Sequence, residues 1–461
     1  MLSEFCRDYQ SELPTGGSVE LRVQRNVTMG VSMVSGSLVA NARNEVSGVS
    51  ARMRKGGVYG FASEATESPE AIRRVLRAAA DNAGFLDKHA GKNLPALPQR
   101  PSDWRELDRG FEEPEQKRVV EFVRALDDRI AAKYPGLASR TLVVRSDCME
   151  KCLITNDAGL GHTVSPRCYV YCMMTALTDD GRPVELFLPL GGFGTFNENF
   201  SDPASLDEPI HELYEKLMQK REGVYAEAGL KTCILDGQLA GMLAHEAVGH
   251  TVEADIVQSG SVAAHCMGKQ VASELVSMTD FANFAFGETA PLPVYLDDEG
   301  IQAVDVPLIE NGILVGYMHS RESAQRFDTE PRGNARAWLF SDEPLIRMRN
   351  TAIHPGSSTL DELIASVDDG YYLIDTNNGE ADTTGEFMFG VTMGYEIKKG
   401  KLGRAILDTT ISGVAFDMLK TVDMVSDKVV WASSGYCGKK QIMPVGLGGP
   451  ALRCKITIGG R

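Results

Sequence analysis

The chain has 461 residues, of which 43% are hydrophobic and 24% are charged. This balance is typical of a folded globular protein with two or three domains, and it excludes a disordered, collagen-like or small disulfide-scaffold chain. Because 63 acidic residues outnumber 47 basic ones, the formal net charge of −16 repels phosphate backbones and anionic lipids, so we expect neither nucleic acid nor a membrane as a direct partner.

The N-terminal residues mix charged and apolar side chains and lack the unbroken apolar core of a signal peptide. No uncharged apolar run in the chain approaches ~18 residues, the length that a membrane-spanning helix needs. Nine cysteines, an odd number without an export signal, favour reduced thiols over a disulfide framework. We therefore expect a cytoplasmic protein.

Short strands separated by turn signals are predicted at the start of the chain, over residues 19–23, 31–34, 48–54 and 60–62. Residues 68–70 then form a helix start, because they supply an N-cap serine, a proline at the first helical position and an acid in the first turn. Apolar residues follow at helical spacing. After an interruption at residues 95–101, a second amphipathic helix is predicted over residues 114–135.

The sheet is predicted to continue with strands over residues 142–145, 152–155, 168–177 and 184–188. The last two are joined by the turn-favouring residues 179–181. A third helix carries Ile210, Leu213 and Leu217 on one face and ends near Gly223. These elements predict an α+β N-terminal domain of residues 1–225, an α/β-type sandwich in which helices cover an antiparallel sheet.

Strands dominate the second half of the chain, residues 226–461, which we predict to be a sheet-rich, barrel-like C-terminal domain. Helices are predicted only around residues 239–249 and 271–281. The clearest hairpin spans residues 305–318 and turns at Asn311 and Gly312, two residue types that tolerate positive φ. Further strands are predicted over residues 233–235, 371–374, 386–393, 395–397 and 405–411.

Two histidines lie five positions apart with a glutamate beside the first: His245, Glu246 and His250. The segment resembles the H-E-x-x-H helix of zinc peptidases, where both histidines bind one metal and the glutamate faces a water. On a straight α-helix, residues i and i+5 diverge by ~140°, so convergence requires a wider turn, a π-bulge or unwinding before His250. Gly249 lies at that point. The alternative is that these are unrelated polar residues at a helix end.

A catalytic zinc needs a third protein ligand, with the fourth position left to water. Spacing does not identify it, and Cys437 has the most suitable setting, in a glycine-flanked loop where nearby lysines favour the thiolate. A lone cysteine is nevertheless more often a small buried residue. The full set of candidates is Glu253, Asp255, His265, Cys266, His319, Cys437 and Cys454.

Other polar and sulfur residues have two interpretations each. Glu253 and Asp255 either hold the second nitrogen of a ligating histidine or are solvated acids. Asn334 and Arg336 either contact substrate or support a turn. The remaining cysteine pairs lie on predicted strands, too far apart along the strand to share one ion, so we interpret them as buried thiols: Cys148 with Cys152, and Cys168 with Cys172.

Several motifs together resemble one family. They are GVYGFA at 57–62, HEAVGHTVEAD at 245–255, LDDEG at 296–300, LIENGIL at 308–314, PRGNAR at 331–336, RMRNT at 347–351, GEFMF at 385–389, CGK at 437–439 and PVG at 444–446. On these motifs the chain resembles the TldD/PmbA family over nearly its whole length, and within it the TldD branch.

The resemblance implies a zinc peptidase, because the catalytic branch of that family is of this kind. It implies that Zn²⁺ is held by His245, His250 and Cys437 and that Glu246 is the base, all in a C-terminal metallopeptidase domain. It also implies peptides or unfolded polypeptides as substrates, reaching an enclosed site in a homodimer or in a heterodimer with a PmbA-like subunit. The alternative function is a noncatalytic peptide-binding or scaffold subunit with a structural metal.

Overall fold

The computed structural model describes residues 7–90 and 111–459, together with Leu2, Leu97 and Arg100. The fold is α+β, with an antiparallel sheet in the first half and a sheet-rich second half that contains a closed barrel, as predicted. Most of the interruption predicted at residues 95–101 lies outside the described residues, and so does Cys6.

Six antiparallel strands form the sheet of the first half, which we call the N-terminal sheet. The strands are longer than predicted. Ser18–Val34 joins two predicted strands through polar residues that are buried or half-buried, whereas the first ten residues of Ser37–Lys55 are exposed. In spatial order they are Val58–Glu64, Ser37–Lys55, Ser18–Val34, Ser139–Thr155, Gly159–Leu177 and Pro183–Phe193.

Three helices cover one face of this sheet, namely Pro69–Ala90, Gln116–Lys133 and Asp207–Arg221. Alternate strand residues such as Leu21 and Val31 are fully buried beneath them. The predicted start of the first helix is confirmed, because the Ser68 hydroxyl accepts a hydrogen bond from the Ala71 amide at 3.2 Å.

The opposite face of the N-terminal sheet is polar and packs against the second half of the chain. Nη2 of Arg22 donates to the carbonyl oxygens of Leu339 and Phe340, at 3.0 and 3.2 Å. Arg52 donates to both Glu20 and Glu299 at 2.7 Å. These ion pairs connect the two halves through buried, hydrogen-bonded charges.

Five strands of the second half close into a barrel. The first and last of them pair with each other, and all pairings are antiparallel except that between the first two: Asp369–Ala381, Gly229–Leu235, Leu452–Ile458, Thr409–Val414 and Glu386–Lys398. Lys401–Ala405 pairs with the strand Glu386–Lys398, and Met424–Val425 pairs with the strand Leu452–Ile458.

An open six-stranded sheet lies beside the barrel. Its strands, in order, are Ile313–Leu314, Val306–Glu310, Met278–Phe281, Asn350–Ile353, Gly446–Gly449 and Val430–Ala432. Three two-stranded pairs complete the strands: Phe284–Ala285 with Glu288–Thr289, Ala335–Arg336 with Leu345–Ile346, and Tyr436–Cys437 with Met443–Pro444.

The predicted hairpin is confirmed, since Asn311 and Gly312 turn the chain with φ of 47° and 80°. The helix predicted over residues 271–281 is wrong. The amides of Val271 and Ala272 donate to the carbonyl of Gly312, and Met278–Phe281 is a strand buried on both faces. Its apolar spacing therefore reflects burial on all sides, which periodicity cannot distinguish from a buried helix.

One helical segment, Gly237–Gly249, lies between the barrel and the open sheet, and we call it the ligand helix. The remaining described helical turns are short: Arg7–Glu12, Phe196–Asn199, Pro203–Leu206, His250–Val252, Ala254–Gln258, Val262–His265, Arg321–Arg326, Leu360–Ala365 and Ala415–Leu419. Within the described residues, none of the helices combines the length and apolar character needed to cross a lipid bilayer.

Candidate metal centre

The ligand helix changes its winding just where the two histidines lie. Gly237–Met242 is α-helical, whereas Leu243–Gly249 is a π-helix. The His250 amide donates to the His245 carbonyl oxygen, five residues earlier. This i→i+5 bond places residues five apart one above the other, so both imidazoles face the same side.

Close packing around the wide turn explains why residue 249 is a glycine. Ala244, Ala247 and Val248 are fully buried in the core that the barrel and the open sheet share. At Gly249 a β-carbon would lie 2.1 Å from Sδ of Met348 and 3.0 Å from the carbonyl oxygen of Ala244. Only glycine therefore allows the helix to pass this close to its neighbours.

The structure brings His245 and His250 together with Cys437. One ligand atom from each of the three lies within 4.8 Å of the others. Sγ of Cys437 is 3.3 Å from Nε2 of His250, and the two imidazole rings have centroids 5.1 Å apart and planes at 77°. Among the described residues this is the group of histidines, cysteines and acids with the spacing of a metal site.

The donor set fits a metal ion. His245 is 1% exposed, yet neither of its ring nitrogens has a hydrogen-bond partner among the described residues. A buried polar atom without a partner is costly, and a metal bond would satisfy it. Two imidazoles and one thiolate are the ligand types that zinc accepts, and three protein ligands leave a position for water or substrate.

The Glu246 carboxylate borders this group without belonging to it. Its oxygens lie 3.9 Å from Nε2 of His245 and 3.7 Å from Nε2 of His250. The side chain is 25% exposed, so it faces the space in front of the ring nitrogens rather than the core. A carboxylate in this position can exchange protons with a molecule bound at the open position.

The electrostatics favour an anionic sulfur. Burial alone would raise the pKa of Cys437, but the imidazoles of His245 and His250 outweigh it and lower the pKa to about 4. Burial would lower the pKa of His250, but Cys437 and Glu253 outweigh it and raise the pKa to about 10. The thiolate is the form of cysteine that binds metals.

Glu253 holds the second nitrogen of one histidine, as one of the two interpretations from sequence proposed. Its Oε2 lies 2.7 Å from Nδ1 of His250. The same oxygen is 3.2 Å from Nζ of Lys439, which also donates to Asp255 at 2.9 Å. Asp255 therefore binds the lysine and not a histidine. The sequence-based idea that lysines stabilise the Cys437 thiolate has no support here, because Lys439 is paired with these acids.

Arg347 holds the loop that carries Cys437, residues 433–442, which we call the cysteine loop. The guanidinium is completely buried. Its Nη2 donates to the Cys437 carbonyl at 2.7 Å, and its Nη1 donates to the Lys439 carbonyl. Arg347 thus ties the cysteine loop to the segment just before the strand Asn350–Ile353, and Lys439 ties it to the segment just after the ligand helix.

Sequence reasoning missed both of these roles. Arg347 lies in a motif that the resemblance used, but no local pattern tells which carbonyls a buried arginine reaches. Asn334 is structural, because its Nδ2 donates to Asp280 and to the Arg347 carbonyl at 2.8 and 3.1 Å. Four other candidate ligands do not join the described group, namely His265, Cys266, His319 and Cys454.

The other cysteine pairs are buried free thiols, as predicted. Cys148 and Cys152 lie on one strand of the N-terminal sheet, and Cys168 and Cys172 lie on the next. Burial raises the pKa of both Cys168 and Cys172 to about 12. They are therefore protonated at neutral pH.

Comparison with known families gives two matches. A family model described as the PmbA/TldA metallopeptidase C-terminal domain matches residues 229–460. A second model, described as PmbA/TldA metallopeptidase domain 1, matches residues 19–83. The first match contains all three residues of the metal-site group.

Curated relatives carry related names. A metalloprotease TldD homolog of Buchnera aphidicola is 30% identical over 90% of this chain and 86% of its own length. A metalloprotease of Methanothermobacter thermautotrophicus is 28% identical over 96% of this chain and 95% of its own length. A zinc metalloprotease TldD homolog of Saccharolobus solfataricus is 33% identical over 56% of this chain and 58% of its own length.

Among solved structures, TldE from Thermococcus kodakarensis superimposes with a TM-score of 0.79 at 17% identity, over 99% of each chain. A putative modulator of a DNA gyrase from Thermotoga maritima gives a TM-score of 0.78 at 19% identity, over 98% of this chain and all of the other. At these identities the likeness concerns the fold.

Proposed function

Because the chain belongs to the PmbA/TldD family of metallopeptidases, we propose that it is a zinc-dependent peptidase of the TldD branch. His245, His250 and Cys437 hold the zinc, and Glu246 is the catalytic base. One observation carries the proposal. A π-helical turn and a cysteine from 187 residues away place three ligand atoms within 4.8 Å of one another, beside a carboxylate that is not itself a ligand.

Zinc bound by these residues supplies Lewis acidity towards a carbonyl oxygen and towards water. Glu246 accepts a proton from the attacking water at a carboxylate oxygen while the hydroxyl oxygen bonds to the carbonyl carbon of the peptide. Glu246 then gives this proton to the leaving nitrogen as the C–N bond breaks. Glu253 keeps the His250 ring oriented through Nδ1, so that Nε2 remains free for the metal.

The proposed substrates are short or unfolded peptides, hydrolysed in an enclosed site. His245 and Cys437 are both buried, which disfavours the entry of a compact folded protein. We propose that the chain works in the cytoplasm, as a homodimer or with a PmbA-like subunit. An N-terminal domain of residues 1–225 and a catalytic domain of residues 226–461 complete the proposal.

Zinc content and peptide hydrolysis, measured on the same preparation, test the function. The purified chain is loaded with one equivalent of Zn²⁺ and incubated with dye-labelled casein, which is unfolded, and with native lysozyme, which is compact. We expect casein cleavage that stops on chelation and returns with zinc, and no cleavage of lysozyme.

Glu246→Gln is expected to keep the zinc and to lose at least about 1,000-fold in turnover, because it removes the proton acceptor. Glu274→Gln is the matched control, since Glu274 is exposed and is not part of the metal-site group. Zinc binding without hydrolysis, both alone and with a PmbA-like subunit, would favour the noncatalytic alternative. Wild-type turnover in Glu246→Gln would refute the role of the base.

A further inference from the structure

A separate cavity of about 280 Å³ lies between the polar face of the N-terminal sheet and the second half of the chain. Lys151, Thr163 and Ser165 line it from the sheet, and Tyr295, Asp297 and Arg336 line it from the other side. None of the three metal-site residues is in its wall.

The cavity is nevertheless close to the metal centre. Arg336 donates to the carbonyl of Pro444, and Pro444 pairs with Tyr436, the neighbour of Cys437.

The acids in this wall already have their hydrogen bonds. The Asp297 carboxylate accepts from the amides of Glu299, Ile301 and Ala335, at 2.8 to 3.1 Å. The Asp298 carboxylate accepts from Nζ of Lys151 at 2.7 Å and from the Ala337 amide at 2.8 Å. Neither acid therefore requires a further cation.

Arg336, in contrast, has unused donors. It is only 6% exposed, and its Nη1 donates to the carbonyls of Met348 and Pro444. Among the described residues, no carboxylate lies within 4 Å of its guanidinium, and Nε and Nη2 make no hydrogen bond. A buried cation without a counterion is costly, and an anion in the cavity would remove that cost.

The net charge of the cavity wall is positive at pH 7, which favours binding of an anion. Burial and the neighbouring Arg347 lower the pKa of Arg336 to about 9, which reflects a guanidinium with too little compensating negative charge. Burial and Glu299 raise the pKa of Asp297 to about 8, so this acid is mostly neutral at pH 7. The wall then has two cations, Lys151 and Arg336, against the single carboxylate of Asp298.

We propose that this cavity binds the C-terminal carboxylate of a peptide and that Arg336 is the residue that pairs with it. A guanidinium binds carboxylates through two parallel N–H groups, and the free Nε and Nη2 offer this geometry. The volume is near the lower end of that of small-molecule pockets, which leaves room for one or two terminal residues. The inference rests on the proposed function in one respect, namely that the ligand is a peptide.

Calorimetry with the zinc-loaded, full-length Glu246→Gln protein tests the site without turnover. The probes are acetyl-tetraalanine with a free C-terminus, the same peptide as its amide, and free alanine, and chromatography verifies that the peptides stay intact. We expect the free acid to bind on the order of tenfold more tightly than the amide, as a charged hydrogen-bonded pair provides. Alanine, which offers a carboxylate without a peptide, is expected to bind at least about tenfold more weakly than the acid.

Two variants assign this preference to the cavity. Arg336→Gln should abolish the difference between acid and amide, and Arg336→Lys should restore part of it. Thr163→Phe leaves Arg336 and its two carbonyl bonds in place but fills the cavity, so it should weaken binding of the acid at least about tenfold. This variant decides the question if Arg336→Gln fails to fold.

Equal binding of the peptide acid and the peptide amide to the Glu246→Gln protein would overturn the inference. Unchanged binding of the acid after Thr163→Phe is added to that protein would overturn it too. Alanine that binds as tightly as the peptide acid would overturn the peptide assignment. Failure of the proposed function is distinguishable, because it would appear as absent hydrolysis in the parent chain while the preference for the acid remained.

Discussion

The amide of His250 donates its hydrogen bond to the carbonyl oxygen of His245, five residues earlier, instead of to the fourth residue back. A single wide turn thus converts a spacing that would point two imidazoles ~140° apart into one that aligns them. The turn is held by core packing rather than by any local signal for π-helix, so it should be sensitive to the volume around it.

Gly249→Ala should disturb that turn. Its β-carbon would meet Met348 at 2.1 Å, so we expect a loss of about 1–3 kcal/mol in the free energy of unfolding and weaker zinc binding. Urea denaturation measures the first quantity, and competition with a chromogenic chelator measures the second. Gly84→Ala is the control, because Gly84 lies in the helix Pro69–Ala90 with open space around its β-position and should be neutral or stabilising.

The steric origin of that effect is separable from other causes by a double-mutant cycle. In a Met348→Ala background only the 3.0 Å approach to the Ala244 carbonyl oxygen remains, so Gly249→Ala should cost less than in the parent chain. An equal cost in both backgrounds would mean that Met348 is not the obstacle.

Cys437→Ala should lower zinc affinity by on the order of 100-fold or more, because it removes the only sulfur ligand and leaves two imidazoles. The measurement is equilibrium competition with a chelator, followed by determination of bound metal. Cys266→Ala is the matched control, since Cys266 is a free thiol outside the group. Full zinc occupancy in Cys437→Ala at chelator concentrations that strip the control would remove Cys437 from the ligand set.

Lys439→Met should weaken zinc binding by roughly 10- to 100-fold without removing a ligand, because it releases Glu253 and the cysteine loop from each other. Lys440→Met changes the neighbouring, exposed lysine in the same way and should bind zinc like the parent. If the two variants behave alike, the effect comes from net charge and not from the contacts of Lys439.

Binding of the peptide acid in the cavity should weaken by on the order of tenfold between pH 7 and pH 9. Burial and the positive charge of Arg22 lower the pKa of Lys151 to about 8, so this residue loses its charge above that pH. Asp297, with a pKa raised to about 8, gains a negative charge over the same range. Both changes disfavour an anion.

Arg336, whose pKa burial and Arg347 lower to about 9, also begins to lose its charge at the top of that range and should weaken binding further. Asp298 remains ionised throughout, because Lys151 and Arg22 outweigh its burial and lower its pKa. Calorimetry at several pH values checks the prediction, with the peptide amide as the control that should show little change. Affinity for the acid that stays constant or rises with pH would contradict it.

From the sequence alone follow the α+β class, several turns and the hypothesis that two histidines share a metal. Asn311 and Gly312 predict their hairpin because positive φ is a property of the residues themselves. The start of the helix Pro69–Ala90 was likewise readable, because a cap acts over three residues. Even the need for a wider turn between His245 and His250 follows from helix geometry.

How that need is met, and which residues surround the two histidines, is seen only in the folded chain. The π-helical turn passes close to Met348, and Cys437, Arg347 and Lys439 come to the centre from distant segments whose positions no short-range rule encodes. The strand Met278–Phe281 was mistaken for part of a helix because burial on all sides hides the period of the backbone. Local conformational preferences act over a few residues, whereas a metal site and a cavity are made by packing between segments far apart in the chain.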